Sequence, residues 1–320
     1  MDWKSLLHAD PTDWLLEPSN PSVRYFTLRW LLDLPEDEPQ VCAAQEAIAQ
    51  SAPVQKIFKQ MHPAGYWGSD PNPHAGCRGR LLLLTWLGYR GDAVRPAIEY
   101  YLNGILSPEG AYAVEMKGRA IFLPCHAANL LRLMLWNGLA DDPRTARLMD
   151  WLIGVQQPDG VWACISKLNA YPCLWATAVT LRAFRELPLG LLTPQVEQVR
   201  QRAIDLILRS NLYRYGKDKP SPLWFKFGYP LQWDSDLLEM IELLAPFISA
   251  EDPRIQSALK LVLDKQDPAG RWPAEKDPKG GKWMLAYLPF EELGQPSKWV
   301  TLHAMHMLKA LHSPDKTCQN

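Results

Sequence analysis

One short turn recurs along this chain at regular intervals, and it constrains the fold more than any other sequence feature. Each copy holds a glycine, and a tryptophan or tyrosine follows two residues later. The glycines lie 45, 50 and 110 residues apart and are Gly65, Gly110, Gly160 and Gly270. The longest interval is about two periods, and a weaker aromatic turn at Gly216 lies inside it. A period of about 50 residues indicates an array of repeated structural units.

The segments on either side of these turns differ in hydrophobic pattern. Before a turn, apolar residues follow the helical period on one face only, as in residues 141–156. After a turn, the segments are apolar on nearly every side, as in residues 81–87, 130–136 and 302–311. Amphipathic helices with one solvent-exposed face thus alternate with enclosed helices. The alternation of polar and apolar residues with a period of two, which is typical of strands, is absent. This predicts an all-α fold, an α/α toroid of two concentric helix rings with about five to six helix-pair repeats.

The first part of the chain has a different character. It contains two helix candidates, residues 23–34 and 40–50, with a proline-flanked turn between them. Because the terminal units of a repeat array must cover its open ends, we expect residues 1–52 to form an N-terminal helical cap. The toroid repeats are then expected over residues 53–312, and residues 313–320 form a C-terminal tail.

The composition excludes several classes of function. The chain has 34 Lys and Arg against 35 Asp and Glu, so no positive surplus attracts nucleic acid. The longest apolar run is far shorter than the roughly 20 residues that span a bilayer. The first residues lack the basic start and apolar stretch of a secretory signal, which predicts a cytoplasmic location. In that reducing location the six cysteines are expected to pack or to bind metal rather than to form disulfides.

A glutamine four residues before the turn glycine completes a longer pattern, Gln-x-x-x-Gly-x-Trp. It occurs twice in full and once with an extra residue, at residues 156–162, 266–272 and 60–67. The pattern resembles the QW motif of squalene cyclases, and over residues 53–312 the chain resembles a short member of the terpenoid cyclase and protein prenyltransferase superfamily. The resemblance implies a toroid whose central cavity binds a hydrophobic, isoprenoid-type molecule. The indoles are expected to pack between repeats, at Trp67, Trp162 and Trp272.

Three cysteines lie at matching positions in successive repeats. Cys77, Cys125 and Cys173 are separated by 48 and 48 residues, each near the start of an enclosed helix. The positive end of a helix stabilises a thiolate, and cysteine with histidine is a typical zinc ligand set. We therefore predict a zinc site at Cys125, His126 and Cys173, with Cys77 lining the cavity. The alternative is that the cysteines are small residues that pack where inner helices crowd together.

The resemblance also bears on zinc. Protein prenyltransferases hold a zinc ion with Asp, Cys and His, and lanthionine-forming toroid cyclases use two cysteines and a histidine. Cys125 and His126 followed by Cys173 are similar to the second set, although the order is reversed and the Trp-Cys-x-Gly signature is missing. Cys164 in Trp162-Ala163-Cys164 is the nearest approach to that signature. The alternative ligands are Asp234, Asp236 and His303.

Two aspartates at the start of a predicted inner helix form the second candidate site. A carboxyl group that stays protonated in an apolar cavity can protonate an alkene or an epoxide. Squalene-hopene-type cyclases begin catalysis in this way with an Asp-x-Asp-Asp motif, which Asp234-Ser235-Asp236 resembles without its final acid. The resemblance implies catalytic roles for Asp234 and Asp236, and His303 is a further candidate proton carrier. The alternative is that one aspartate caps the helix and complements its dipole.

Aromatic residues surround the same predicted mouth of the cavity. Trp175, Tyr229 and Trp233 are expected to line it, since aromatic faces suit an isoprenoid and stabilise cationic intermediates. They would equally suit an ordinary apolar core. A ligand diphosphate would instead meet basic residues near the rim, which are Arg78, Arg80, Lys117, Arg119, Arg214, Lys217, Lys219 and Lys226.

The sequence thus predicts a squalene/terpenoid cyclase-like or prenyltransferase-like toroid that binds a hydrophobic small molecule, with zinc as the expected cofactor. The alternative is a non-catalytic toroid, a scaffold or a lipid-binding or interaction module, because the complete Asp-x-Asp-Asp and Asp-Asp-x-x-Asp sets are missing. A hydrophobic ligand of this kind could enter from a membrane that the protein contacts peripherally.

Overall fold

The computed structural model describes residues 2–68, 76–116, 119–166, 169–215, 220–231, 234–277 and 291–313. In chain order the helices of these residues are α1 Thr12–Leu15, α2 Pro21–Phe26, α3 Pro39–Gln50, α4 Ala52–Phe58, α5 Gly76–Trp86, α6 Arg95–Ile105, α7 Pro124–Trp136, α8 Pro143–Gly154, α9 Leu174–Arg185, α10 Pro194–Arg209, α11 Leu237–Leu244, α12 Gln256–Leu263 and α13 Lys298–His312. A π-helical turn, Thr27–Leu31, extends α2, and 3-10 turns are Trp3–Leu6, Asp92–Val94, Leu189–Leu191, Pro222–Phe225 and Ala245–Phe247. None of the helices in these ranges combines the length and hydropathy needed to cross a membrane.

The helices form two layers around a closed path. On the inner path α5 packs on α7, α7 on α9, α9 on α11, α11 on α13, and α13 on α2. Phe26 of α2 lies against Gly88, directly after α5, and so completes the inner ring. Each inner helix also contacts an outer element: α3 with α2, α6 with α5, α8 with α7, α10 with α9, α12 with α11, and α1 with α13. The predicted all-α toroid of helix pairs is confirmed.

The tryptophan of each complete turn is tied to the outer helix that precedes it. All three indoles are at most 1% exposed. Each indole N–H donates to a carbonyl ten residues earlier: Trp67 to Ile57 at 3.0 Å, Trp162 to Leu152 at 2.8 Å and Trp272 to Val262 at 2.7 Å. A buried indole needs a partner for its N–H, and here the end of the outer helix supplies a carbonyl. The expected structural role of these tryptophans is confirmed.

The glycine of the turn makes room for the next outer element. Gly160 has φ +96°, and a Cβ atom there would lie 2.3 Å from the carbonyl oxygen of Arg202 in α10. Gly270 has φ +76°, and its Cβ would lie 1.9 Å from the carbonyl oxygen of Ala9. Residues before α1 therefore occupy, at the last turn, the place that a following outer helix takes elsewhere. The chain start thereby closes the toroid.

The turn glutamines make the same connection through hydrogen bonds. Gln156 donates from Nε2 to the carbonyl of Val199 in α10, at 2.9 Å. Gln266 donates from Nε2 to the carbonyl of Leu6, at 3.3 Å, and accepts from the backbone N–H of His8. Residues 2–31 thus supply a helix pair of the ring. The predicted boundary between a cap and the toroid at residue 52 stays a prediction.

Two short hairpins depart from the expectation that strands are absent. Strand β1, Ala113–Met116, pairs antiparallel with β2, Arg119–Phe122, and β3, Ala163–Ser166, pairs antiparallel with β4, Asn169–Pro172. Each hairpin links a glycine turn to the next inner helix, α7 or α9. Strands of four residues pair only with their own neighbour and are too short to show a clear period of two. The sequence pattern therefore did not indicate them.

Substitution of Gly270 by alanine tests the closure of the toroid. The new methyl group would collide with the Ala9 carbonyl and would hold a non-glycine residue at positive φ. We expect the free energy of unfolding in urea to fall by about 2 kcal/mol or more. Gly104→Ala is the matched control, because no atom lies within 4 Å of its Cβ and Gly104 is inside α6. That variant should be unchanged or slightly more stable, and equal losses in both would contradict the closure.

Candidate functional site

The two predicted aspartates lie side by side at the start of the inner helix α11. Both Asp234 and Asp236 are 1% exposed. Asp236 is the N-cap of α11, because its Oδ1 accepts the backbone N–H of Glu239 at 3.0 Å. The capping role that the sequence offered as an alternative is therefore present. Capping uses only one oxygen of Asp236, so it does not account for the rest of the acid pair.

A buried lysine joins the two carboxylates. Lys276 Nζ lies 3.2 Å from Asp236 Oδ2 and 3.5 Å from Asp234 Oδ2, and the lysine side chain is 5% exposed. The backbone beside it is fixed by Phe227, whose carbonyl accepts the N–H of Glu275 at 2.8 Å. Sequence analysis missed Lys276, although its position four residues after the Trp272 turn was an available signal.

The charges of this cluster do not balance when both aspartates are ionised. Burial raises the pKa of Asp236, against the opposing attraction of Lys276. Burial alone would lower the pKa of Lys276, but the charges of Asp236 and Asp234 outweigh it and raise that pKa. Neither carboxylate oxygen of Asp234 accepts a hydrogen bond from the residues that the structure describes. A buried site with two acids and one ammonium is neutral only when one acid holds a proton.

Further acids follow Asp236 along the same face of α11. Glu239, three residues on, forms an ion pair with Arg182 of α9, and both are at most 8% exposed. Arg182 Nη1 also donates to the carbonyl of Leu231 at 2.8 Å. Burial raises the pKa of Glu239, while Arg182 opposes this shift. Burial and pairing together fix Glu239 in place between α9 and α11.

One more turn along α11, Glu242 contacts two histidines of α13. Its Oε2 lies 2.9 Å from His303 Nδ1, and its Oε1 lies 2.6 Å from His306 Nδ1. Burial would raise the pKa of Glu242, but the two histidines lower it well below its usual value. His303 was a predicted proton carrier, and the structure places it beside Glu242 rather than beside the aspartates. No sequence pattern indicated Glu242 as its partner.

Aromatic side chains fill the space next to His303. The Tyr229 ring stacks on Trp299 with centroids 4.2 Å apart and lies 5.1 Å from the His303 ring. Tyr229 reaches across the ring of helices, since its hydroxyl donates to the carbonyl of Trp86 in α5 at 2.7 Å. Trp175, also predicted to line the cavity, has its ring centroid 5.7 Å from that of Trp224. Trp233, the remaining predicted cavity residue, lies outside the described residues.

The three in-phase cysteines have separate local contacts. Cys77 Sγ donates to the carbonyl of Ala97 at 3.3 Å, and burial raises the pKa of this thiol to about 11. Cys173 is the N-cap of α9, where its Sγ accepts the backbone N–H of Ala176 at 3.4 Å. Cys125 is buried in the first turn of α7.

The predicted zinc ligand His126 has a cationic neighbour. Arg78 Nη1 lies 2.6 Å from His126 Nδ1 and 3.4 Å from the Tyr112 hydroxyl. A guanidinium at this distance opposes a metal cation at the same imidazole. Within the described ranges, no group of three His, Cys, Asp or Glu side chains is arranged to hold a metal ion. The zinc site at Cys125, His126 and Cys173 stays a prediction.

The basic residues proposed for a diphosphate do not form one group in the described structure. Arg78 is buried beside His126, whereas Arg80 donates to the side chain of Gln60 at 2.9 Å. Arg119 and Cys164 lie in strands β2 and β3. Lys117, Lys217 and Lys219 lie outside the described residues.

Comparison with known proteins gives similarity of structure only. No family model matches the sequence, and no curated protein matches it. The chain is similar to a protein from Actinoplanes at 16% identity, covering 92% of this chain and 90% of that chain with a TM-score of 0.46. It is similar to the ligand-free type II terpene cyclase MstE from Scytonema at 16% identity, with coverage of 93% and 98% and a TM-score of 0.45.

A third similar structure is that of an enzyme with a different activity. Unsaturated glucuronyl hydrolase from Bacillus sp. GL1 is 16% identical, with coverage of 63% of this chain and 62% of that chain and a TM-score of 0.37. Similarities at these TM-scores assign neither a ligand nor a reaction to this chain.

Replacement of Lys276 by methionine tests the charge balance of the acid pair. Without the ammonium, the pKa of Asp236 rises further above its unfolded value, so the folded variant binds more protons than the unfolded chain. Its stability relative to the natural protein therefore falls as pH rises. We expect a loss of about 3 kcal/mol in urea unfolding at about pH 7.5, and a much smaller loss at about pH 4.5.

Lys260→Met is the control for this substitution, because Lys260 is exposed and pairs with Asp264 on the surface of the protein. Its free energy of unfolding should change little at either pH. If Lys276→Met lost the same stability at both pH values, the lysine would act by packing and not by charge.

Proposed function

We propose that this protein is an acid-initiated cyclase, which binds an isoprenoid-type hydrocarbon chain inside the toroid and protonates it from Asp236. One observation carries the proposal: a buried pair of aspartates shares a single lysine at the start of an inner helix. Burial and the second negative charge both favour a proton on Asp236, against the opposing attraction of Lys276. Asp236 is therefore a Brønsted acid in surroundings from which bulk water is excluded.

The first chemical step follows from this arrangement. The O–H bond of Asp236 breaks, and the π electrons of a ligand alkene, or a lone pair of an epoxide oxygen, take the proton. A protonated alkene is itself a carbocation, whereas a protonated epoxide becomes one when its C–O bond breaks and leaves a hydroxyl group. The next alkene attacks the carbocation to form a carbon–carbon bond. The new carboxylate of Asp236 lies 3.2 Å from the ammonium of Lys276, which stabilises it as the charge appears. Asp234 Oδ2 lies 3.5 Å from the same ammonium group.

The aromatic interior supports the same reaction. The rings of Tyr229 and Trp299 stack on each other. The ring centroid of Trp30, in the π-helical turn after α2, lies 5.5 Å from that of His303 in α13. Ring faces attract cations and offer no nucleophile, so they favour a carbocation that survives long enough to cyclise. Basic residues for a diphosphate do not gather in the described part, so ionisation of a diphosphate is a less well supported start.

The main rival is a non-catalytic toroid that binds a lipid or a partner with the same fold. In that case Asp234, Asp236 and Lys276 hold α11 to the chain after Trp272 and do no chemistry. A zinc-dependent reaction at Cys125 and its neighbours is a second rival, which metal analysis of the purified protein would test. The acid pair distinguishes the cyclase from both, since only a cyclase transfers its proton to carbon or to an epoxide oxygen.

The test is turnover in deuterium oxide with squalene, oxidosqualene and geranylgeraniol as probes. We expect a cyclic product that is an isomer of one probe, and an alkene probe should gain one carbon-bound deuterium, detected by mass spectrometry. Asp236→Asn should lower the rate by about 100-fold or more, because it removes the general acid. Asp264→Asn should retain the natural rate, because Asp264 is exposed and pairs with Lys260 on the surface.

Three outcomes would contradict the proposal. The natural protein could convert none of the probes, the product of an alkene probe could contain no deuterium on carbon, or Asp236→Asn could keep full activity. Circular dichroism of each variant separates loss of the acid from loss of the fold, because a folded but inactive Asp236→Asn protein isolates the chemical role.

A further inference from the structure

A pocket lies at the carboxyl ends of the inner helices α5 and α7, away from the acid pair. Near their starts these two helices meet where Arg78 contacts His126. At their ends the indole N–H of Trp136 donates to the carbonyl of Tyr89 at 2.7 Å. Because start meets start and end meets end, the two helices run parallel and the pocket lies at the far end of the pair. Asp236, by contrast, is at the start of its inner helix, α11.

The pocket combines apolar and cationic side chains. Its volume is about 460 Å³, which lies in the range of sites that bind small molecules. The apolar part of its lining includes Val94, Ile98 and Leu135, and the cationic part is Arg90 and Arg95. Such a lining suits a molecule that has both an apolar body and a negative charge.

Arg90 is held in place by stacking on an indole. Its guanidinium carbon lies 4.0 Å from the centroid of the Trp136 ring, and the hydrogen bond from that ring to Tyr89 fixes the indole. Arg90 Nη1 also lies 3.4 Å from Oε1 of Glu36, an exposed carboxylate that is equally close to Arg29. A guanidinium has five N–H donors in one plane, so this long contact leaves donors for a bound oxyanion.

Arg95 supplies a second positive charge to the pocket. It forms no ion pair with any residue that the structure describes. Glu99, one turn further along α6, is bound instead by Arg144, which donates to its two carboxylate oxygens at 2.7 and 2.8 Å. Asp92 also lines the pocket, so the lining holds two guanidinium groups and one carboxylate. Its net positive charge favours an anion.

Carbonyl groups at the end of α7 are engaged by the chain itself. Asn137 Nδ2 donates to the carbonyl of Leu133 at 2.8 Å, and the backbone N–H of Leu139 donates to the carbonyl of Met134 at 2.9 Å. These bonds reduce the negative charge that a helix end presents to an anion. Gly138, which also lines the pocket, has open space where a Cβ atom would lie.

We propose that this pocket binds a small organic oxyanion, with a phosphate or carboxylate group on Arg90 and Arg95 and an apolar ring or chain against Ile98 and Leu135. An inorganic ion would leave the apolar lining in contact with water, and a neutral hydrocarbon would leave the two guanidinium groups without an anion. The site is separate from the acid pair, and it does not rest on the proposed function.

Calorimetric titration with four probes tests the site. The probes are 1-naphthyl phosphate, 1-naphthoate, neutral 1-naphthol and inorganic phosphate. We expect the two naphthyl anions to bind about tenfold or more tightly than 1-naphthol and inorganic phosphate, because only they use both parts of the lining. The tighter of the two anions identifies the preferred oxyanion. Their affinity should fall as salt is added, since Arg90 and Arg95 are exposed to solvent.

Substitutions locate the bound anion. Arg90→Gln and Arg95→Gln should each weaken the binding of 1-naphthyl phosphate about tenfold, since each removes a charge-assisted hydrogen bond. Arg254→Gln is the matched control, because Arg254 is exposed and pairs with Asp252 on the surface, and it should keep the natural affinity. Asp236→Asn should also keep it.

Three results would overturn the inference. The natural protein could bind neither naphthyl anion, 1-naphthol could bind as tightly as the anions, or Arg90→Gln and Arg95→Gln could both keep the natural affinity. Circular dichroism of each variant shows whether a loss of binding is a loss of the fold.

Discussion

The whole structure depends on one turn in which a buried indole is bonded to its own outer helix and a glycine admits the next one. The indole N–H of Trp162 reaches the carbonyl of Leu152, and Gly160 brings the backbone of Arg202 within contact. Each turn thus connects one helix pair to the next. At the last turn the following outer element is the start of the chain, and the array becomes a closed ring.

The same turn positions the chemistry. The backbone N–H of Trp272 donates to Thr301 in α13, and its carbonyl accepts the N–H of Ser297 at the start of that helix. Lys276 follows Trp272 by four residues and meets Asp236, while His303 follows Thr301 by two residues and meets Glu242. One structural tryptophan therefore sets the place of the cation beside the acid pair and the place of the histidine. The turn at Trp272 therefore both supports the fold and positions the residues of the candidate site.

The sequence predicted the features that repeat and missed those that do not. Three features could be predicted because the residues that determine each of them are neighbours in the sequence. They are the glycine–aromatic turns, the alternation of enclosed and amphipathic helices, and an inner helix that starts near Asp234 and Asp236. Lys276 and Glu242 could not be predicted, because their partners lie on other helices and the contacts depend on how those helices rotate against one another. His126 shows the same limit, since nothing near it in sequence indicates that Arg78, one repeat earlier, takes its Nδ1.

The central claim is that the buried acid pair holds a proton at neutral pH. Infrared spectroscopy tests it directly, because a protonated carboxyl group has a carbonyl stretch that a carboxylate lacks. We predict that the natural protein shows this band at neutral pH, that it shifts in deuterium oxide, and that Asp236→Asn removes it. If the folded natural protein shows only carboxylate bands under these conditions, both aspartates are ionised and the acid-initiated mechanism is contradicted.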